Sequence, residues 1–269
     1  MQLCRFTHPS LSGSHFGRIE GDRVFSIEAT EYFEHETDHS TSEPVALAEV
    51  ELLAPVTPSK IVCVGRNYRE HAAELGNKMP DEPLLFLKPS SAVVASGDVI
   101  RLPPQSTQVE HEGELGVVIG RKAQRISDTD DPLSYVLGYT CVNDVTARDL
   151  QRKDVQFTRA KSFDTFCPVG PVIVSDINPL DLGVTARLNG AVRQQGRTSD
   201  MAFSVPFLIW YISQIMTLNP GDLIATGTPA GVSPMNEGDV VEVEVEGIGI
   251  LKNSIAAQES AKSTIATTH

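Results

Sequence analysis

Apolar positions along this chain recur in short runs and alternations and rarely keep a helical period for long. HFGRIEGDRVFSI (15–27) alternates on either side of Glu20-Gly21-Asp22, the pattern of a hairpin. KIVCVG, PLLFLKP, AVVAS, DVIRLP, GELGVVIG, YVLGYTCVND, GPVIV, TARLNG, DLIATG and DVVEVEVEGIGILKNSI follow in that order, short apolar or alternating runs bounded by turn residues. Two segments read as helices. RNYREHAAELG (66–76) is short and stops at Gly76. AFSVPFLIWYISQIMTL (202–218) is apolar and long enough for a buried helix. No strand–helix alternation repeats, which disfavours a doubly wound sheet or a TIM barrel.

These elements predict a predominantly β fold of the α+β class. Residues 1–56 read as a small β-rich N-terminal domain and 57–255 as the main domain. The small polar stretch 256–269 reads as a flexible tail. EHETDHSTSEP (34–44) reads as a loop, and LLAPVTPSK (52–60), with its two prolines, as a linker or edge segment.

Composition narrows the function classes. Hydrophobic residues make up 41% and charged residues 21%, ordinary for a globular protein. The net charge of −13 repels phosphate backbones and argues against nucleic acid as a partner. It does not argue against a small anionic substrate, because a bound metal inverts the local sign. Cys4, Cys63, Cys141 and Cys167 form no CxxC and no His/Cys cluster. They read as buried reduced thiols, which predicts a cytoplasmic protein. MQLCRFTHPS carries no apolar leader-like run, and no segment reaches the length of a membrane span, so no membrane association is expected.

One stretch runs against the pattern. In VEHEGELGVVIG (109–120), Glu110, His111, Glu112 and Glu114 crowd the mouth of a strand that then runs apolar. Glu112 and Glu114 are two apart, so on a strand they share a face. Two adjacent carboxylates repel and are costly to desolvate, unless a divalent cation holds both. Taken alone, the pair reads more readily as a solvated, charged strand end. Asp144, where the strand of GYTCVNDVTARDLQ gives way to a polar segment, reads as a helix N-cap or as a third oxygen ligand. His71 and Glu74 are i, i+3 neighbours on the short helix. They read as a solvent-facing pair or as a base oriented by a carboxylate. Lys161 in FTRAKSFDTFCPVGP reads, taken alone, as an exposed lysine.

Together, KIVCVGRNYREHAAELG, PLLFLKPSSAVV, VEHEGELGVVIG, VLGYTCVNDVTARDLQ, RAKSFDTFCPVGP and GDLIATGTPAGV resemble, in order, the fumarylacetoacetate hydrolase family. The resemblance is to its bacterial acylpyruvate hydrolases and 2-hydroxyhepta-2,4-diene-1,7-dioate isomerases. It implies a mixed β-sandwich or β-roll core behind a small N-terminal domain, and a homodimer. It implies one Mg²⁺ or Mn²⁺ per subunit on Glu112, Glu114 and Asp144. The catalytic pair falls on His71 and Glu74, in a helix that often orders as a lid, and the catalytic lysine falls on Lys161. Gln151, Thr228, Arg66 and Tyr68 fall at substrate-binding positions, and Asn67 and Lys88 lie within matching motifs. Glu110 and His111 are then expected to support the ligands from behind or to face solvent.

The resemblance further implies a small 2-oxo acid substrate whose enolate the metal stabilises. Three reactions share that intermediate: hydrolysis of a C–C bond, isomerisation and decarboxylation. Because a base is present, hydrolysis of an acylpyruvate or other 2,4-dioxo acid ranks first, with water activated by His71 and Glu74. Isomerisation or decarboxylation of unsaturated 2-oxo diacids in aromatic catabolism, or of oxaloacetate, ranks second. A non-catalytic binding module ranks last, because every one of these positions keeps its functional group.

Overall fold

A computed structural model describes residues 1–33 and 43–258. Most of the loop expected at 34–44 and most of the expected tail lie outside these residues. The fold is predominantly β with few helices, as the patterning predicts.

Two sheets carry the structure. The larger runs in the order Val45–Ala46, Arg23–Ile27, His15–Glu20, Gln2–Thr7, Cys167–Val174, Val136–Asn143, Gly113–Ile119, Leu223–Ala225, Ile61–Gly65 and Leu84–Lys88. The N-terminal strands belong to this sheet, because Gln2 and Leu3 pair antiparallel with Val174 and Ile173. The second sheet is Ala191–Arg197, Gly183–Leu188, Val240–Val245, Gly249–Ala257 and Val99–Leu102. Ala256 and Ala257, expected in the tail, instead close its Gly249–Ala257 strand by pairing with Arg101 and Leu102.

The main core lies between the sheets. Val62, Leu115, Val117, Tyr139 and Cys141 from one meet Val184, Ala186, Val243 and Val245 from the other. Leu208, Ile209 and Ile212 of the Val205–Ile215 helix join the same cluster. Leu3, Ile61, Cys63, Val118, Leu137 and Ile173 form a second cluster with other partners. Cys141 and Val142, consecutive on one strand, fall in different clusters, so the central strands are buried on both faces. That is why they read as continuous apolar runs.

This packing also fixes the mouth of the Gly113–Ile119 strand. The strand pairs with Val136–Asn143, with Gly113 opposite Asn143. Just outside it, Val109–Glu110 pairs with Thr146–Ala147. The two ladders turn Glu112 and Asp144 toward each other, and the Asp144 N–H donates to the Glu112 carbonyl at 2.9 Å.

Candidate active site

Glu112, Glu114 and Asp144 are all buried, and each offers a carboxylate oxygen within 4.8 Å of the others. The i, i+2 spacing puts the two glutamates together, and the neighbouring strand end supplies the aspartate. Asp144 does not cap a helix. The helix Arg148–Lys153 begins three residues after the Asp144–Val145 turn, and its N-cap is Ala147.

Cations enclose this cluster. The Lys161 ammonium donates to Glu112 at 2.8 Å and to Asp144 at 2.5 Å. It also stands 5.0 Å from the centre of the Phe86 ring. The lysine that reads as exposed is therefore only 2% exposed, because the Thr158–Lys161 turn carries it into the acidic cluster. Lys88 donates to the other Asp144 oxygen at 2.5 Å and to the Val145 carbonyl at 3.2 Å. The Arg148 guanidinium reaches Glu110 at 2.7 Å and also bonds Glu112 and Gln151.

The charges do not balance. Glu110, Glu112, Glu114 and Asp144 bring four carboxylates, while Lys88, Arg148 and Lys161 bring three cations. Burial alone would raise the Glu112 carboxyl, but Lys161 and Arg148 outweigh it and hold it well below the usual range. Glu114 accepts the Gly227 N–H at 2.8 Å and makes no ion pair among the described residues. Its burial, with Asp144 and Glu112 beside it, pushes its carboxyl well above the usual range. A buried, all-oxygen donor set that is one positive charge short fits a hard divalent cation.

A cavity of about 240 Å³ opens onto this cluster. His71, Arg66, Gln151, Thr228, Arg148 and Lys161 line it, with Phe86, Phe157, Leu75 and Val64 as its apolar wall. His71 Nδ1 lies 3.2 Å from the Glu74 carboxylate, which also accepts the Gly231 N–H at 3.0 and 3.2 Å. The pair sits on the Arg69–Glu74 helix, which stops at a left-handed Gly76 as its sequence predicts. Arg66, at the end of the Ile61–Gly65 strand, has φ 57°, a left-handed conformation uncommon for a residue with a Cβ.

Tyr68 and Asn67 turn elsewhere. Tyr68 does not line this cavity; it precedes the short helix and borders a neighbouring depression with Gly196 and Met201. The Asn67 side chain ties the backbone of Phe203 to Thr226 and acts as a structural brace.

Glu110 and His111 do not face solvent. Glu110 holds Arg148, while the His111 ring spans Gln194 and Ser233. Gln194 Oε1 accepts the Gly113 N–H at 2.9 Å, and its Nε2 donates to the Pro229 carbonyl at 2.6 Å. Those backbone partners fix the amide's orientation, so His111 Nδ1 must carry a proton to donate to the same Oε1. Burial lowers the His111 pKa and keeps the ring neutral.

The sequence reading missed Arg148 and Gln194. Arg148 opens a helix within a segment that reads only as polar, and its carboxylate partners, Glu110 and Glu112, lie 38 and 36 positions back in the chain. Gln194 is the one buried residue on a strand that is otherwise largely exposed. A single fully buried amide in such a strand leaves no periodic signal.

The pattern described as fumarylacetoacetate (FAA) hydrolase C-terminal matches residues 60–256, and one described as Rv2993c-like, N-terminal, matches residues 1–55. The chain belongs to the fumarylacetoacetate hydrolase family. It is 44% identical over 253 residues to the oxaloacetate tautomerase YisK of Bacillus subtilis, spanning 88% of this chain and 84% of that protein. It superposes on a 2-hydroxyhepta-2,4-diene-1,7-dioate isomerase from Mycobacterium marinum with a TM-score of 0.86 and 43% identity, over 97% of this chain and 100% of the other. A fumarylacetoacetate hydrolase from Exiguobacterium antarcticum gives a TM-score of 0.84 at 36% identity, over 96% and 100%. Relatives by sequence or by structure thus bear tautomerase, isomerase and hydrolase names. Among the described residues no helix is long and apolar enough to cross a membrane.

Proposed function

We propose that this chain is a divalent-metal-dependent enzyme that moves a proton through the enolate of a short 2-oxo acid. Keto–enol conversion of a 2-oxo diacid such as oxaloacetate is its first reading. The observation that carries it is His71, held by an anchored Glu74, on the wall of the cavity that Glu112, Glu114 and Asp144 also line. Mg²⁺ or Mn²⁺ on those three carboxylates would supply Lewis acidity to the 2-oxo carbonyl.

The protein's own groups do the rest. Glu74 takes the Nδ1 proton of His71 as its partner, which leaves Nε2 to take and return the proton at the carbon beside the carbonyl. Arg66 lines the cavity with no ion pair among the described residues, so its guanidinium is available for a substrate carboxylate. Lys161 supplies positive charge where the enolate oxygen develops. Phe86, Phe157, Leu75 and Val64 limit water around the reacting carbon.

Hydrolysis of an acylpyruvate, ranked first on the sequence, becomes the second reading. The same pair can activate water, and the structural likeness to a hydrolase supports it. The likeness to a tautomerase over most of both chains supports placing proton transfer ahead. The test assays enol-oxaloacetate and acetylpyruvate in parallel with Mn²⁺. Faster enol loss without acetylpyruvate cleavage is the expected result. Acetylpyruvate cleavage as the dominant activity would reverse the order.

A further inference from the structure

We propose that Gln194 is a positioning residue that fixes the acidic cluster and the His71–Glu74 pair relative to each other. The proposal deepens the reading above and assigns a function to a side chain outside the cavity lining.

Gln194 is fully buried and uses both ends of its amide. Oε1 accepts from Gly113 N–H at 2.9 Å and from His111 Nδ1 at 3.0 Å. Gly113 is the residue between Glu112 and Glu114, so this bond pins the backbone that carries both carboxylates. Nε2 donates to Thr228 Oγ1 and to the Pro229 carbonyl, each at 2.6 Å. The Thr228 hydroxyl passes its own proton to the Gly113 carbonyl at 2.8 Å, which closes a ring between strand mouth and loop.

The same loop carries the anchor of the catalytic pair. Gly231 presses on the preceding residue of the Gln194 strand so closely that a Cβ there would lie 1.9 Å from the Arg193 carbonyl oxygen. The Gly231 N–H in turn holds both Glu74 oxygens. A chain of direct contacts therefore runs from Glu112 and Glu114 through Gln194 and the 228–231 loop to Glu74 and His71. Only an amide supplies donors at one end and acceptors at the other in this space. Proton transfer depends steeply on where the base stands, so loosening this link costs rate before it costs substrate binding.

The test compares Gln194→Met, which keeps the volume and loses all four bonds, with Gln194→Glu, which keeps the acceptors and loses the donors. Hydrogen exchange followed by mass spectrometry reads the loop 228–231 and the helix 69–75 in the Mn²⁺-supplemented protein, without any substrate. Both variants are expected to exchange faster in both segments. On whichever 2-oxo acid the parent turns over, kcat should fall by about 10–100-fold with KM within about threefold. If Gln194→Met does not fold, Gln194→Glu decides alone. Parent-like exchange in 69–75, or an unchanged kcat in a folded variant, overturns the proposal. A parent that turns over no 2-oxo acid refutes the proposed reaction, while the exchange result still decides the role of Gln194.

Discussion

Lys161 is bonded to two of the three clustered carboxylates, so its removal would leave Glu112 and Asp144 short of a counter-charge in a buried site. Breaking such a pair from one side costs about 3–5 kcal/mol. Lys161→Met should therefore lower the stability of the metal-free protein by that order in urea unfolding, and added Mn²⁺ should recover part of it. Glu114→Gln removes a proposed ligand without touching Lys161 or Arg148. It should weaken Mn²⁺ binding in calorimetry by more than the ~10–100-fold typical of losing an outer hydrogen-bond partner. Parent-like affinity would remove Glu114 from the ligand set. At this scale the sequence exposes residues whose partners are near in the chain. Glu112 with Glu114, and His71 with Glu74, are legible from spacing alone as pairs. Arg148 is not, because its bond to Glu112 spans 36 positions. Lys161 reads as exposed for the same reason.

The elements were most legible where both faces of a strand are buried. The Gly113–Ile119 and Val136–Asn143 strands are uniformly buried and read as strands from composition alone. Gly116 lets them approach: a Cβ there would lie 2.6 Å from Val142 Cγ2 and 2.9 Å from Thr140 Cγ2. Gly116→Ala should destabilise the protein by about 1–3 kcal/mol through overpacking, measured by thermal or urea unfolding. A variant as stable as the parent would mean the two strands separate without cost. The short helix Arg69–Glu74 was legible through its left-handed Gly76, whereas the Ala191–Arg197 strand was missed because it packs through little but Gln194. The helix also carries the base. His71→Ala should lower the proton-transfer rate by about 10²–10⁴-fold, with a smaller loss in oxaloacetate decarboxylation, which needs no base. Equal losses in the two reactions would argue that His71 does not act as the base.

At the scale of the whole molecule, the two-sheet core encloses all four cysteines. Burial pushes the thiols of Cys4, Cys141 and Cys167 up to about 12 and that of Cys63 well above its ordinary value. All are therefore protonated near neutral pH, and the folded protein should show no rapidly reacting thiol toward an aromatic disulfide reagent, whereas four should appear after unfolding in guanidinium. Rapid reaction of the native protein at pH 7 would mean that the core opens locally. The class of fold was readable because strand-length runs dominate the chain. The joining of the N-terminal strands to the large sheet was not, since Gln2 and Leu3 find their partners more than 160 residues away, at Val174 and Ile173. The central claim, that this scaffold holds a metal-dependent site for enolate chemistry, is tested most directly by following the ultraviolet absorbance of enol-oxaloacetate with the purified protein. Decay should accelerate with Mg²⁺ or Mn²⁺, return to the uncatalysed rate with a chelator, and fail to accelerate with Glu114→Gln. Acceleration that survives both the chelator and the substitution would contradict the account.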